Sequence, residues 1–195
     1  FAKGLYKLND DVTVYADLQN RQIDYSFLGK DENGAARNDT VNFNFFNPKF
    51  GAYYQIDNKN SAFASFAIAN REPNRSDFVE SSPNSRPLHE TLYDTEVGYK
   101  IQGSNFAFSA TAYYMIYENQ LILTGKINDV GAYTRENVDY SERKGIELEA
   151  GIKINSKLNW STNATFSKNN IAHYTEYVDN WDTWGQESKS YSNTS

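Results

Sequence analysis

Long segments that alternate between apolar and polar side chains are the feature that most constrains the fold of this chain. In 91–101, Thr, Tyr, Val and Ile occupy every second position, and acidic, basic and glycine residues lie among the positions between them. The same period of two runs through 106–117, 144–154 and 158–167. Because successive side chains of a β-strand point to opposite faces, each segment predicts a strand with one apolar and one polar face. The segment 61–69 (SAFASFAIA) shows no clean polar face, so its orientation is left unassigned.

Polar turn signals divide these segments, and they are of two kinds. Short clusters of Asn, Asp, Gly, Ser and Lys lie near 9–11, 57–60, 102–105 and 155–157. Most of these residue types tolerate the backbone conformations of tight hairpin turns. Longer polar stretches, interpreted as loops, lie near 29–42, 70–90, 118–140 and 168–195. Short turns and long loops therefore alternate along the chain. This alternation predicts an all-β fold, an antiparallel up-and-down meander of about eight long strands.

Two all-β architectures fit the alternation. In a soluble β-sandwich, such as a carbohydrate-binding module, the apolar faces of two sheets are buried against each other. In a transmembrane β-barrel, the apolar faces contact lipid and the polar faces line a wet interior. The barrel is favoured because the segments reach the roughly 9–11 residues that cross a bilayer and because short turns and long loops lie at opposite ends.

Aromatic residues, which make up 15% of the chain, also favour the barrel. They cluster near the ends of the predicted strands, where a ring with an apolar body and a polar tip suits a membrane interface. Towards the long loops these are Phe43, Phe45, Phe46, Tyr93, Tyr113, Tyr114 and Phe166, and towards the short turns they are Tyr54, Tyr99, Phe106 and Trp160.

Composition excludes several other classes of protein. The 19 basic and 25 acidic residues give a net charge of −6, which argues against a nucleic-acid partner held by charge. Without cysteine there is no disulfide framework, thiolate metal site or cysteine nucleophile. The two histidines, His89 and His173, lack the close spacing of metal ligands. With no Gly-rich phosphate loop and no Ser–His–Asp spacing, the sequence predicts no catalytic residue, no metal site, no cofactor and no enzymatic activity.

Several motifs in the middle of the chain resemble the barrel of TonB-dependent outer-membrane receptors. They are FNPKFG at 46–51, ANREPNRSDF at 69–78, LYDTEVGYK at 92–100, NQLILTG at 119–125, Asn137-Val138 and RKGIELEA at 143–150. They occur in the order expected for the later part of that family's barrel, and the resemblance extends over roughly 43–170.

The resemblance implies a receptor for active uptake, with a barrel of about 22 strands and a plug domain folded inside it. Family ligands are small molecules or glycans, namely iron–siderophore complexes, cobalamin, haem or oligosaccharides, and uptake is driven through the TonB complex of the inner membrane. The sequence shows no plug, no TonB-box segment and no final strand ending in an aromatic residue. We therefore expect 1–195 to be a fragment of such a barrel, in contact with lipid of the bacterial outer membrane. A porin-like passive channel is the alternative within the membrane class.

The stretch from 168 onwards holds the main candidate ligand contacts. Tyr174, Tyr177, Trp181 and Trp184 lie there among acidic and amide residues. Aromatic rings beside such groups contact sugar rings and planar ligands, and the same composition also suits a loop that packs on itself. Tyr133 and Arg135, in the preceding long loop, are the next candidates.

Two arginines, Arg71 and Arg75, open the 70–90 loop. Their guanidinium groups are suited to an anionic ligand, because the fork geometry matches a carboxylate. Acids are interleaved with them, and this favours ion pairs with Glu72, Asp77 or Glu80 that fix the loop.

Overall fold

The computed structural model describes residues 1–30, 36–81, 86–127 and 133–194. The predicted loop positions at 31–35, 82–85 and 128–132 lie outside the described residues. Strands account for most of the rest, so the all-β prediction is confirmed, with nine strands in the described part of the chain. They are β1 (Ala2–Lys7), β2 (Val12–Lys30), β3 (Ala36–Gln55), β4 (Asn60–Arg71), β5 (Glu90–Gln102), β6 (Phe106–Ile127), β7 (Tyr133–Lys153), β8 (Asn159–Asn180) and β9 (Gly185–Thr194), with one short helix, α1 (Arg75–Glu80), between β4 and β5.

The strands form a single antiparallel meander in which each pairs with its neighbours in the chain. The short connections span 8–11, 56–59, 103–105 and 154–158. Side-chain oxygens of Asn9, Asp57 and Asn155 accept backbone hydrogen bonds in three of these turns. Asn9 Oδ1, for example, accepts from the backbone N–H groups of Asp11 and Val12, at 2.9 and 2.8 Å. These local bonds are the reason that Asn and Asp mark the short turns in the sequence.

The longer connections differ from the prediction, because much of what reads as loop is paired strand. β2 and β3 pair as far as Lys30 and Ala36, and β8 and β9 pair as far as Asn180 and Gly185. β6 and β7 likewise continue through most of 118–140. Beyond the apolar part of the sheet, polar residues occur on both faces of these hairpins, so polar residues there do not signal a loop. Of these four stretches, only 70–90 has most of its described residues outside the sheet, and it contains α1.

Register places a row of mainly apolar residues from eight strands on one face. One row of successive Cα partners runs Tyr6, Val14, Ala52, Ala64, Val97, Ala112, Ile146 and Phe166. We call this side the apolar face. A row of the opposite side, the polar face, runs Gln55, Ser61, Lys100, Ser109, Glu149 and Asn163.

The apolar face carries no second layer of the described chain. Val97 is 55% exposed, Ile146 49% and Phe166 67%. A β-sandwich would bury these side chains between two sheets, whereas the described residues form one sheet. The soluble β-sandwich is therefore wrong. Over the described ranges, no helix has both the length and the hydropathy of a membrane span.

Strand β4 can now be oriented. Ala62, Ala64 and Phe66 lie on the apolar face, because they pair with Tyr99, Val97 and Thr95. Phe63 lies on the polar face opposite Gly98, and its ring occupies the space that a Cβ at Gly98 would need. The ring covers the glycine, which explains why 61–69 has no clean polar face.

Three of the predicted interface aromatics do not lie on the apolar face. Phe43, Phe45 and Tyr113 belong to the polar face, where the last pairs with Gly145. Phe46, 55% exposed, lies on the apolar face as predicted. Adjacent residues of a strand point to opposite faces of the sheet, so consecutive aromatic residues cannot all lie on the apolar face.

Acid is expected to weaken the turn at 56–59. The pKa of Asp57 lies below its ordinary value of 3.8, first because the backbone N–H of Lys59 donates to its carboxylate and next because the Asn60 side chain does. A carboxyl group with a lowered pKa in the folded state stabilises the fold above the unfolded pKa, and this stabilisation is lost as pH falls through the folded pKa. Carbon-13 NMR titration of the Asp57 carboxyl group should show a midpoint below 3.8.

The matched variants for this titration are Asn60→Ala and Asn58→Ala. The first removes an amide that donates to both carboxylate oxygens of Asp57, at 2.9 and 2.7 Å, so the midpoint should rise. The second changes a neighbour that makes no described bond to Asp57, so the midpoint should stay. Equal midpoints in the two variants would contradict this account of the turn.

Candidate functional site: the rim at the long-connection end

The described residues between β4 and β5, 72–81 and 86–89, which we call the bridging segment, lie across the polar face where the long connections emerge. β3 and β4 stop pairing at Lys49 and Ala67, so beyond Lys49 the β2–β3 hairpin has no strand paired to it on that side. Phe78 of the bridging segment packs against Phe27 and Val41, and all three are buried. The Phe27 and Phe78 rings are 6.2 Å apart. The bridging segment thus gives this end of the sheet its own hydrophobic core.

His89, at the end of the bridging segment, contacts two rings of the polar face. Its ring centre lies 5.9 Å from that of Phe43 and 5.3 Å from that of Phe45. His173 is exposed on β8. In the described part of the chain, no three metal-ligating side chains lie together.

One ion pair closes the base of the bridging segment. Arg71 and Glu90 are Cα partners at the ends of β4 and β5, and their side chains pair. Glu90 is buried and also accepts a hydrogen bond of 2.8 Å from the backbone N–H of Leu121. A buried carboxylate requires such partners, because its desolvation is otherwise uncompensated. Arg71 therefore pairs with Glu90, the first residue of β5, and not with Glu72 or Asp77 as expected, since those two acids pair with other arginines.

Two further ion pairs join the bridging segment to strands on either side. Arg21 of β2 pairs with Glu72. Arg135 of β7 lies 3.5 Å from the carboxylate of Asp77, which also accepts a 2.7 Å hydrogen bond from the backbone N–H of Asn74 at the start of α1. The bridging segment therefore connects the β2–β3 hairpin to the β6–β7 hairpin.

Arg75 contacts the β2–β3 hairpin. Its guanidinium donates to the backbone carbonyl oxygen of Leu28 at 3.3 Å and lies 5.8 Å from the centre of the Phe27 ring. The side chain of Glu80 lies outside the described residues, so its predicted pairing with an arginine stays a prediction.

The four aromatic residues predicted to contact ligand lie at different positions along the β8–β9 hairpin, two on β8 and two in the turn that connects it to β9. Tyr174 stacks on Tyr191 of β9, with ring centres 6.2 Å apart. Trp181 and Trp184 form the tip, 73% and 84% exposed, with their rings in a T-shaped contact at 6.0 Å. Two backbone N–H groups of the tip donate to Asn180 Oδ1, so the indoles project from an ordered turn.

Tyr177 belongs to a junction between two hairpins. Lys126 of β6 pairs with Glu136 of β7, and its ammonium lies 5.3 Å from the centre of the Tyr177 ring. The hydrogen bond to Glu136 is the first cause of a raised pKa for Lys126. Gln186 of β9 reinforces the junction by donating to the carbonyl oxygen of Gly125 at 2.8 Å.

Gly125 is required at this junction. Its φ is +80°, a conformation that L side chains rarely adopt. A Cβ there would also overlap the backbone carbonyl oxygen of Tyr177. β6 therefore approaches β8 closely only because position 125 has no side chain.

The structure does not gather the eight predicted contact residues into one pocket. Arg71, Arg75 and Arg135 all contact the bridging segment or its flanking strands, whereas the four aromatics lie along the β8–β9 hairpin. Tyr133, at the start of β7, is 57% exposed. Together these elements form a rim around the long-connection end of the sheet.

Sequence reasoning missed most of the contacts that hold this rim. The apolar pair Phe78-Val79 inside a polar stretch is a signal from which buried contacts there could have been predicted. Nothing in the sequence indicated the Lys126–Glu136 pair, because the β6–β7 register shifts between Leu123 and Ile127.

A single meander with an exposed apolar face and a polar opposite face is the wall of a β-barrel. The family model described as TonB dependent receptor-like, beta-barrel matches residues 1–194, and the chain belongs to this family. It is a family of transport receptors and not of enzymes. None of the curated proteins matches the chain.

Solved structures share the fold. The FrpB iron transporter from Neisseria meningitidis (F3-3 variant) is 21% identical, with a TM-score of 0.64 over 87% of this chain and 25% of that one. The copper transporter OprC is 15% identical, with a TM-score of 0.70 over 86% and 27%. The ferripyoverdine receptor of the outer membrane of Pseudomonas aeruginosa, bound to ferripyoverdine, is 16% identical, with a TM-score of 0.58 over 98% and 30%. The chain thus spans about a quarter to a third of these proteins, and at such identities the likeness concerns the fold alone.

Replacing Gly125 with alanine should loosen the junction between the β6–β7 and β8–β9 hairpins. The positive φ alone costs about 1–2 kcal/mol for a residue with a Cβ, and the overlap with Tyr177 adds to it. Hydrogen exchange of the Ile127 N–H, which donates to Gln186 Oε1 at 3.0 Å, should become faster.

Gly4→Ala is the matched control, because a Cβ at Gly4 meets nothing within 4 Å. It should leave exchange at Ile127 unchanged. Unchanged exchange in Gly125→Ala as well would show that the close approach of β6 to β8 does not depend on this glycine.

Proposed function

We propose that this chain forms part of the barrel wall of a bacterial outer-membrane receptor for active uptake of a scarce ligand, namely an iron–siderophore complex, cobalamin, haem or a glycan. The observation that carries the proposal is the row of Cα partners that keeps apolar residues on one face across eight strands, in a chain of this family. The apolar face contacts outer-membrane lipid and the polar face lines the interior. The short turns then face the periplasm and the rim faces the outside.

The polar face suits contact with a plug domain and with water. Its side chains include Lys100, Ser109 and Glu149 on neighbouring strands, and the Ser109 hydroxyl donates to Glu149 at 3.1 Å. In the intact receptor we expect a plug domain against this face and energy supplied through the TonB complex. A porin-like passive channel is the weaker alternative, because the matching family is one of TonB-dependent receptors.

Ligand contact is assigned to the rim, and within it first to the β8–β9 hairpin. Trp181 and Trp184 present two exposed indoles on an ordered turn, and Tyr174 and Tyr177 lie below them. Indole faces contact sugar rings and planar chelates with little loss of conformational entropy. Arg75 and Tyr133 are further contact candidates. Arg71 and Arg135 act mainly by holding the bridging segment, because their charges are paired.

Arginine on the apolar face should prevent assembly into the outer membrane. Ala112 lies in the apolar row between Val97 and Ile146, where a charge facing lipid costs about 2–4 kcal/mol. Cell fractionation and immunoblotting of boiled and unboiled samples should show the unmodified protein as an outer-membrane band that shifts on heating. Ala112→Arg should strongly reduce this band.

Thr111→Arg is the matched control, because Thr111 lies on the polar face opposite Glu147 and an arginine there gains a partner. It should assemble like the unmodified protein. A soluble protein without a heat shift, or equal loss of the band in both variants, would overturn the proposed orientation in the membrane.

Removing the exposed indoles should weaken ligand binding at least about tenfold, as expected for aromatic anchors of a binding surface. Trp181→Ala and Trp184→Ala in the intact protein are titrated with a panel of ferric siderophores, haemin, cyanocobalamin and oligosaccharides, and binding is measured by calorimetry. Trp160→Ala is the control, since Trp160 lies on the apolar face beside the short turn at 154–158. Equal affinities in all three variants would contradict the assignment of the tip as a contact.

A further inference from the structure

Two lysines lie opposite each other where the apolar face ends. Lys144 of β7 and Lys168 of β8 are Cα partners, and both are exposed. Lys144 lies two residues from Ile146 on the side nearer the rim, and Lys168 lies two residues from Phe166 on the same side. All four side chains belong to the apolar face. Like charges directly opposite each other destabilise an antiparallel pair. This placement therefore calls for compensating anions.

The chain supplies one such anion. Glu142 accepts hydrogen bonds from Lys144 Nζ at 3.0 Å, from the Tyr114 hydroxyl at 2.8 Å and from Asn170 Nδ2 at 3.0 Å. The Lys144 ammonium also lies 5.9 Å from the centre of the Tyr114 ring. Lys144 is thereby held in place, whereas Lys168 makes no hydrogen bond or ion pair with any described residue. A second anion is what this cluster lacks.

We propose that Lys144 and Lys168 bind a phosphate group of a lipid headgroup in the leaflet at the rim. The inference rests on the proposed function, because it requires that the apolar face contacts lipid. A lysine stem lies along apolar surface while its ammonium reaches the headgroups, and cationic side chains at this depth attract anionic headgroups. The flanking Ile146 and Phe166 then contact the acyl chains of the same lipid. This apolar surround assigns the phosphate to a lipid and not to a free ion.

The two ends of the β7–β8 pair differ in charge on this face. Towards the short turn the same row of side chains ends in Ile152 and Trp160, which are Cα partners and uncharged. The lysine pair is therefore specific to one leaflet, the one that lies on the outside of the cell in the proposed orientation.

The test uses the intact protein, purified from outer membranes in detergent, with diphosphorylated lipid A as the probe. Native mass spectrometry measures lipid binding to the unmodified protein and to Lys144→Gln, Lys168→Gln and the double variant. Binding should weaken about fivefold for each lysine and about thirtyfold for the pair. Lys157→Gln, in the short turn at the opposite end, should bind as the unmodified protein does.

Two further arms identify the source of the phosphate. Dephosphorylated lipid A should bind equally to all variants, and inorganic phosphate should not compete with the lipid at equal concentration. Competition by inorganic phosphate would overturn the assignment to a lipid. Lys168→Gln keeps the test decisive if Lys144→Gln disturbs the Glu142 cluster, because Lys168 has no described partner to lose.

The result also separates this proposal from the proposed function. A heat-shifting outer-membrane protein whose double variant binds lipid A as tightly as the unmodified protein overturns the lysine site alone. A protein absent from the outer membrane overturns both.

Discussion

Backbone hydrogen bonding in an unbroken register is the constraint on which the rest of this structure depends. Tyr6 on β1 and Phe166 on β8 are linked through a continuous row of paired residues, so they lie on the same face. A slip of one residue in any pair would turn the apolar side chains of all the following strands to the other side. The division into an apolar face and a polar face is therefore a property of the whole sheet and not of single strands.

The sheet and its rim are stabilised in different ways. Over most of their length β1–β8 expose their apolar side chains and have no layer packed on them, so their stability depends on what contacts the apolar face. At the rim, Phe27, Val41 and Phe78 are buried by the chain itself. Full burial of one such side chain contributes about 1.5–3 kcal/mol. The rim is thus the part of the described sheet whose apolar side chains are buried by the chain itself.

The sequence predicts the sheet better than the rim, and the reason is physical. Period-two alternation reports a difference between the two faces, so it is strong in 144–154 and 158–167, where one side is apolar. Beyond that band the difference disappears, and β8 continues through residues such as Lys168 and Asn170 that read as loop. The turns were predictable because Asn9 and Asp57 close them with their own side chains.

The contacts of the rim could not be predicted, because they join residues that are far apart in the chain. Arg21 and Glu72 come together only because β3 and β4 separate, and nothing near either residue signals that separation. Phe43 and Phe45 are covered by the bridging segment. The prediction of an interface role placed them on the wrong face. Aromatic residues occupy both odd and even positions within 43–46, so the sequence there shows no alternation between the two faces.

The long separations within the rim also bear on the order in which the molecule assembles. Phe27 meets Phe78 and Asp77 meets Arg135, so these contacts cannot form until the strands between them are in place. Hairpins close over short stretches of chain, whereas contacts between distant residues carry a larger entropic cost of closure. We therefore expect folding to proceed from neighbouring hairpins towards the rim. Until the bridging segment docks, Phe27 and Val41 lack Phe78, their partner in the hydrophobic core of the rim.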